Sequence, residues 1–365
     1  MNDVGKKQMF QLAASRYSAQ SSGDPVLVYR TICQVLSNRA QDVAWPVFTD
    51  DDWDLMKTMA AQERVGPLLY WHFTKGSWPI GFPDDLAESL MRSYHGTVVR
   101  NTFLLGELTR VLDVLAKADI PVIVLKGAAL AQTLYPDPAL RPMNDLDLLV
   151  REKSIAPILR ILRGLNYSKV TEISSIFEHF VRSHQAIRND AYLIELHWSL
   201  VVGKHDHRRP NLRWLWEHTV TFGYDNLRML TPTANVLHLA AHLGVQHGLF
   251  QLHLLWLYDL YLLLDKKSTL IDWDEVINRS VEFGWVEGLY DVLEITRVFF
   301  NANIPNRVLL LLDEKRDSGS VSEKGVEFAS PTIKHTFESV FRGLTLVGKV
   351  GVVISYLFPA PAYMD

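Results

Sequence analysis

Two short strand-like runs, set between long helical tracts, constrain this chain more than any other feature. Pro121-Val-Ile-Val-Leu125 is apolar and β-branched and reads as a buried strand leading into Lys126-Gly127. Asp145–Val150 reads as a second strand. Ala128–Leu134 between them looks helical. Tyr135–Met143 carries Pro136, Pro138 and Pro142, which remove N–H donors and restrict their neighbours, so it is a loop. Ile155–Leu165 then forms an amphipathic helix closing at Gly164. His184–Arg188 and Tyr192–Trp198 flank Asn189-Asp190 as a hairpin.

On both sides the periodicity is helical. Residues 1–98 include an apolar-periodic run, Trp53 to Ala60, that follows Asp50-Asp51 and ends near Gly66. Pro83-Asp84 opens a longer pattern that continues past Leu112 and stops before Ile120-Pro121. From Asn211 onward helices return: one starting at Thr231-Pro232 and stopping at Gly248, then Gln251–Leu264, Asp272–Phe283 and Val286–Phe300. The expected fold is α+β, a small mixed sheet flanked by N-terminal and C-terminal helical units. The expected divisions are 1–98, 99–205 and 206–365.

A chain of 365 residues has room for two or three packed units. Its net charge of -4 gives no support to general nucleic-acid binding. Cys33, the single cysteine, excludes an internal disulfide framework and a cysteine-based zinc cluster, which fits a reducing cytoplasm. The first residues lack the apolar core of a signal peptide. The longest apolar stretches, Leu252–Leu264 and Leu344–Phe358, fall short of the roughly 20 residues that span a bilayer. A soluble cytoplasmic protein is expected.

The chemistry is carried by acids on strands. Asp145 and Asp147 lie two residues apart, so both project from one face while Leu146 and Leu148 point into the core. Carboxylates that close repel unless a cation neutralises them, and Mg²⁺, a hard ion that prefers oxygen, is the natural occupant. Glu195 alternates with Ile194 and Leu196 and would complete a three-carboxylate site if its strand lies beside Asp145–Val150. Gly127 at a strand-to-helix turn would let backbone N–H groups approach a phosphate. Lys126 and Arg141 would add charge-assisted contacts, and His197 shares the face of Glu195.

Leu125-Lys-Gly-Ala-Ala-Leu130, Tyr135-Pro-Asp-Pro138, Arg141-Pro-Met-Asn-Asp-Leu-Asp-Leu-Leu-Val150 and Glu195-Leu-His-Trp198 resemble the largely uncharacterised bacterial nucleotidyltransferase family of the DNA polymerase β superfamily. The resemblance extends to Asp52-Trp53, Arg100-Asn101, the His238–His242 helix and Leu357-Phe-Pro359. It implies a minimal nucleotidyltransferase sheet, an NTP donor (ATP in the first instance) and a pair of Mg²⁺ ions. It also implies transfer of an NMP, AMP being favoured, to an acceptor with release of pyrophosphate. By position, Asp145 and Asp147 correspond to the paired metal acids and Glu195 to the third acid. Lys126, Gly127, Arg141 and His197 would contact the nucleotide.

Blander readings stand beside these. Lys126 could be a solvated strand-end residue, Arg141 could pair with Asp137, and His197 could be a satisfied core histidine. His238 and His242 share a helix face, but Leu239 stands where a zinc protease needs Glu, so a buried network or a pocket lining fits better than zinc. Asp259, amid leucines, needs a partner, for which one of these histidines is the first choice. The Lys204–Arg213 cluster could grip phosphate or RNA, or be a solvated loop. The acceptor could be a small molecule, a peptide, a protein or a tRNA end, the last as in toxin-type enzymes. The rival class is a non-catalytic nucleotide-binding or interaction module, favoured by Ala128 after Gly127, where a hydroxyl would otherwise meet phosphate.

Overall fold

A computed structural model describes residues 3–18, 22–170, 184–200, 212–222, 224–247 and 253–319. The Lys204–Asn211 part of the basic cluster and the Leu344–Phe358 stretch lie outside them. The fold is mixed α+β, mostly helical around one seven-stranded sheet.

The N-terminal tract folds as α1 (Asp3–Ala14), α2 (Pro25–Leu36), α3 (Asp50–Gln62), α4 (Gly66–Lys75) and α5 (Asp84–Lys117). Local chemistry sets their ends. Thr49 and Asp52 form a reciprocal capping box at the start of α3, and Asp24 caps α2 ahead of Pro25. Although buried, the Asp52 carboxyl is held below its ordinary range by hydrogen bonds from Thr49 and from the Asp24 N–H. Gly66 does not stop α3 as expected; it opens α4. The reversal falls on Arg64, at φ 60.

The sheet comprises β1 (Ile123–Val124), β2 (Asp145–Leu149), β3 (Ser168–Lys169), β4 (His184–Arg188), β5 (Leu193–His197), β6 (Thr219–Phe222) and β7 (Tyr224–Leu230) in the order β3-β4-β5-β2-β1-β7-β6. β2 runs parallel to β5 and antiparallel to β1. The hairpin expected around Asn189-Asp190 is β4–β5, with Arg188 opposite Leu193 and His184 opposite His197. β6 and β7 correct the expectation that residues after Asn211 are only helical: β7 pairs in parallel with β1 and extends the sheet.

One sheet face is apolar. Leu146, Leu148, Ile194 and Leu196 pack with Leu104, Leu108 and Val111 of α5 and with Ile158 and Leu162 of α7 (Ile155–Arg163). α6 (Lys126–Thr133) connects β1 to the loop before β2, and α8 (Leu212–Glu217) precedes β6. The C-terminal helices are α9 (Pro232–Ala240), continued by a π-helical segment Ala241–His247, then α10 (Leu254–Lys266), α11 (Trp273–Glu282), α12 (Val286–Phe300) and α13 (Asn306–Gly319). They share one apolar core with α1–α4: the rings of Phe10 and Phe299 stack at 4.7 Å, and Tyr29 meets Phe299 edge-on at 5.5 Å. The π-helical segment touches α12 backbone to backbone at Gly244 and Gly288, where a Cβ on Gly244 would collide with the Gly288 carbonyl. No described helix is long and apolar enough to cross a membrane.

Two buried carboxylates tie these parts together. Glu63, at the end of α3, accepts bonds from Arg16, from the Tyr17 hydroxyl at 2.7 Å and from the Leu254 N–H at 2.7 Å, so it caps α10 from the N-terminal tract. Asp259 of α10 accepts from Arg141 Nη2 at 2.7 Å, Arg141 Nε at 3.2 Å and Tyr135 Oη at 2.7 Å. The partner of Asp259 is therefore Arg141 together with Tyr135, which corrects the histidine expectation. Removing one member of such a buried pair leaves the other charge without compensation. Asp259→Ala should lose about 3–5 kcal/mol of stability in urea titrations; a loss below about 1 kcal/mol, the range of exposed pairs, would show that the interaction is not a structural tie.

Candidate active site

The second sheet face carries the acids. β2 and β5 lie in parallel with Asp147 opposite Glu195 and Asp145 opposite Leu193, so period-two alternation puts all three carboxylates on the side away from α5. Leu149 pairs with His197, one step further along that face. β1 delivers the next element: the Leu125 N–H donates to the Asp147 carbonyl at 2.9 Å, and the chain turns into α6 at Lys126. Lys126 has φ 41, a left-handed conformation that disfavours any side chain, and here it aims an amine across the sheet end.

Asp147 sits at the centre. Its Oδ1 accepts from Lys126 Nζ at 2.9 Å and lies 2.8 Å from His197 Nε2, which is also 3.4 Å from Glu195 Oε2. His184 on β4 stacks its ring on His197 at 5.3 Å. The Asn189-Asp190 signal located the hairpin and not this pair: a two-residue loop there would set His184 opposite Glu195, whereas the observed loop of residues 189–192 sets it opposite His197.

The charges are unevenly balanced. Burial would raise the Asp147 carboxyl, but Lys126 and His197 hold it well below the usual range. The bond from His197 lowers Glu195 against its burial. Burial opposes the charge on His197 and on Lys126, yet their carboxylate partners raise both. At Asp145 the balance tips the other way: burial, then repulsion from Asp147 and Glu195, outweigh the more weakly acting Lys126 and Arg141 and push it up to about 6. Among the described residues it has no hydrogen-bond or ion-pair partner. A hard cation placed among these oxygens would remove that repulsion, so the donor chemistry fits a divalent metal. Asp147, Glu195 and His197 can each offer one ligand atom, all within 4.8 Å of one another; this is the one such group of three or more among the described residues. Asp145 lies on the same face outside it.

The remaining expected residues divide. Gly127 lies in the first turn of α6, and its lack of a side chain admits the Arg141 guanidinium, which a Cβ would strike. Arg141 is buried and held by Asp259, and Asp137 instead accepts from Tyr94 Oη at 2.7 Å. This corrects the Arg141–Asp137 pairing, and it gives the guanidinium a structural partner where a phosphate contact was expected. His238 on α9 is buried near Lys126, Asp147 and His197; burial, then Lys126, lower its pKa to about 3, and its Nδ1 has no hydrogen-bond partner among the described residues. His242 packs on the Trp256 ring at 5.1 Å. Neither joins a metal-ligand group among the described residues. Arg213 of the basic cluster is exposed and pairs with Glu217 at 2.8 Å.

Comparison with known proteins settles the class of this arrangement. Residues 49–301 match the model of a family described as an uncharacterised nucleotidyltransferase. The chain belongs to that family. The nucleotidyltransferase match begins at the Thr49 cap of α3 and ends just after α12, so it takes in the whole acid face. By class the chain is therefore a transferase. No curated protein matches it. Among solved structures it is similar to the solution structure of the antibiotic-resistance factor ANT(2'')-Ia, with 11% identity, a TM-score of 0.36, and coverage of 53% of this chain and 96% of that one. That likeness is too slight to inform the chemistry.

The raised Asp145 carboxyl has a thermodynamic consequence. A folded-state value near 6 means that the native protein keeps a proton the unfolded chain releases near 4, so metal-free stability falls as pH rises between these values. At pH 7 in EDTA, Asp145→Asn should melt a few degrees higher than wild type. An unchanged or lower melting temperature would show that no repulsion is stored there.

Proposed function

We propose that this nucleotidyltransferase moves an NMP group, AMP being preferred, from an NTP to a hydroxyl, amine or phosphate acceptor and releases pyrophosphate. The observation that carries the reading is the register of β2 against β5, which sets Asp147 opposite Glu195 with Asp145 on the same face. Asp145, Asp147 and Glu195 would hold a pair of Mg²⁺ ions. When bound, such ions neutralise the acids and the donor phosphates and polarise the phosphorus centre.

The chain's own groups account for the rest. Lys126, on its strained turn beside Asp147, would bind donor phosphate oxygens once a cation has replaced it as the partner of Asp147. The backbone at Gly127 would approach the same phosphates at the start of α6. His197 fixes the carboxylates of Asp147 and Glu195 through Nε2, while stacking on His184 fixes its own ring. The half-buried Glu195 carboxylate would take the acceptor's proton as the acceptor oxygen or nitrogen bonds to the α-phosphorus and the bond to the pyrophosphate oxygen breaks. Catalysis by such a site rests on positioning and electrostatics.

The test is transfer of label from α-³²P NTPs to a panel of small-molecule, peptide and RNA acceptors. Asp147→Ala should lower transfer by more than about 100-fold, and Glu195→Gln should lower kcat more than it raises KM. Equal transfer by wild type and Asp147→Ala would reject the assignment. Mg²⁺-dependent ATP binding without turnover on any acceptor would identify a nucleotide-binding module instead. EDTA should abolish transfer, and excess Mg²⁺ should restore it.

A further inference from the structure

We propose that a cationic cavity beside the start of β2 is the acceptor site, and that it selects acceptors carrying a phosphate or carboxylate next to an apolar group. This deepens the nucleotidyl-transfer reading and rests on it. The cavity has a volume of about 340 Å³ and is lined by Arg64, Arg92 and Arg100, with Ser93, Gly96 and Asn144 among its neutral walls. Among the described residues, no carboxylate lines it.

The guanidiniums are poorly compensated. Among the described residues, Arg64 and Arg100 form no ion pair; Arg100 donates to Asn144 Oδ1 at 2.6 Å and Arg64 only to the Pro142 carbonyl at 3.5 Å. Arg92 pairs with Glu88 on the exposed side of α5. Burial, then the nearby Arg141 and, more weakly, Arg100, push Arg64 below its ordinary value, partly offset by Asp145. Arg64 and Arg100, gathered with no ion-pair partner among the described residues, form a site for an anion.

Backbone geometry adds a second observation. Arg64 occupies the left-handed position that ends α3, closed by the Arg64 N–H to the Ala61 carbonyl at 3.1 Å and the Val65 N–H to the Ala60 carbonyl at 3.0 Å. Glycine fills that position with least strain. An arginine there tolerates an unfavourable φ while presenting its side chain to the cavity.

The cavity's neighbour supplies the apolar half. A second cavity of about 550 Å³ shares Gly96, Arg100 and Asn144 with the first and is walled by Val99, Phe103 and Tyr192. Phe103 and Val99 are exposed at 62% and 57%. Asn144 and Tyr192 immediately precede Asp145 and Leu193, which pair in register, so the groove passes the leading end of the acid strands. Because β1 is antiparallel to β2, Lys126 and Gly127 approach this same leading end of β2, but from the β1 side, whereas Tyr192 stands on the β5 side. The Lys126-Gly127 turn and the groove walled by Tyr192 therefore flank the start of β2 from its two neighbouring strands, and no residue of α6 lines either cavity.

Isothermal titration of the full chain with phenyl phosphate, inorganic phosphate and benzoate, alongside Mg²⁺–ATP, tests the proposal. Phenyl phosphate should bind wild type more tightly than inorganic phosphate, and benzoate should compete with it. Arg64→Gly, which relaxes the backbone, and Gly96→Leu, whose Cβ has no protein atom within 4 Å, should each weaken phenyl phosphate about tenfold or more and leave Mg²⁺–ATP within about twofold. Melting curves confirm that both variants fold. Absence of phenyl phosphate binding to wild type, or equal loss of ATP and phenyl phosphate in Arg64→Gly, would overturn the acceptor assignment. The nucleotidyl-transfer reading fails separately, if Asp147→Ala keeps both Mg²⁺–ATP affinity and transfer.

Discussion

Parallel pairing of β2 with β5 is the constraint on which the rest depends. Two strands that run the same way cannot be joined by a tight turn. The chain between them therefore leaves the sheet through α7 before β4 returns and reverses into β5. The parallel register then fixes which side chains face each other, and a slip of one residue would turn Glu195 into the core and Ile194 toward the acids. Apolar packing of Leu146, Leu148, Ile194 and Leu196 against α5 and α7 guards against that slip. Specificity of the charged face is thus enforced from the greasy one.

Burying charge on so small a face requires compensation nearby, and the molecule provides it in two ways. At Asp147 the compensation is local and polar, from Lys126 and His197. At Arg141 it is distant: the guanidinium reaches Asp259 on α10 and makes the loop before β2 a bridge to the C-terminal helices. Asn101 secures the same loop from the other side, donating to the carbonyls of Pro138 at 2.7 Å and Arg141 at 2.9 Å. The strand that bears Asp145 and Asp147 therefore starts from a segment held by α5 and α10 together.

What could be read from the sequence follows the range of each signal. Alternation around Asp145 and Asp147, and around Glu195 and His197, is a local property and placed the acids on one face. Proline marked the loop, and Asn189-Asp190 marked the hairpin. Arg141 and Asp259 are 118 residues apart, so nothing local joins them, and both were given other partners. The β6–β7 pair was missed because strand alternation there gave no apolar stripe as clear as the helical periodicity that follows it. The Arg64–Arg100 cavity was invisible for a related reason: it forms only where a helix reversal, the middle of α5 and the start of β2 meet in space.

The length of α5 carries an implication for motion. At 34 residues it extends about 50 Å at 1.5 Å per residue, and it runs without a break past residues 98 and 99, where the sequence suggested a division. Its first half walls the arginine cavity, while its second half backs the strand that bears the acids. A rod shared in this way transmits displacement along its axis and offers no hinge between the groove and the sheet. Opening and closing, if substrates demand it, must then come from elements that move against this rod, while the rod holds the spacing between groove and acids constant.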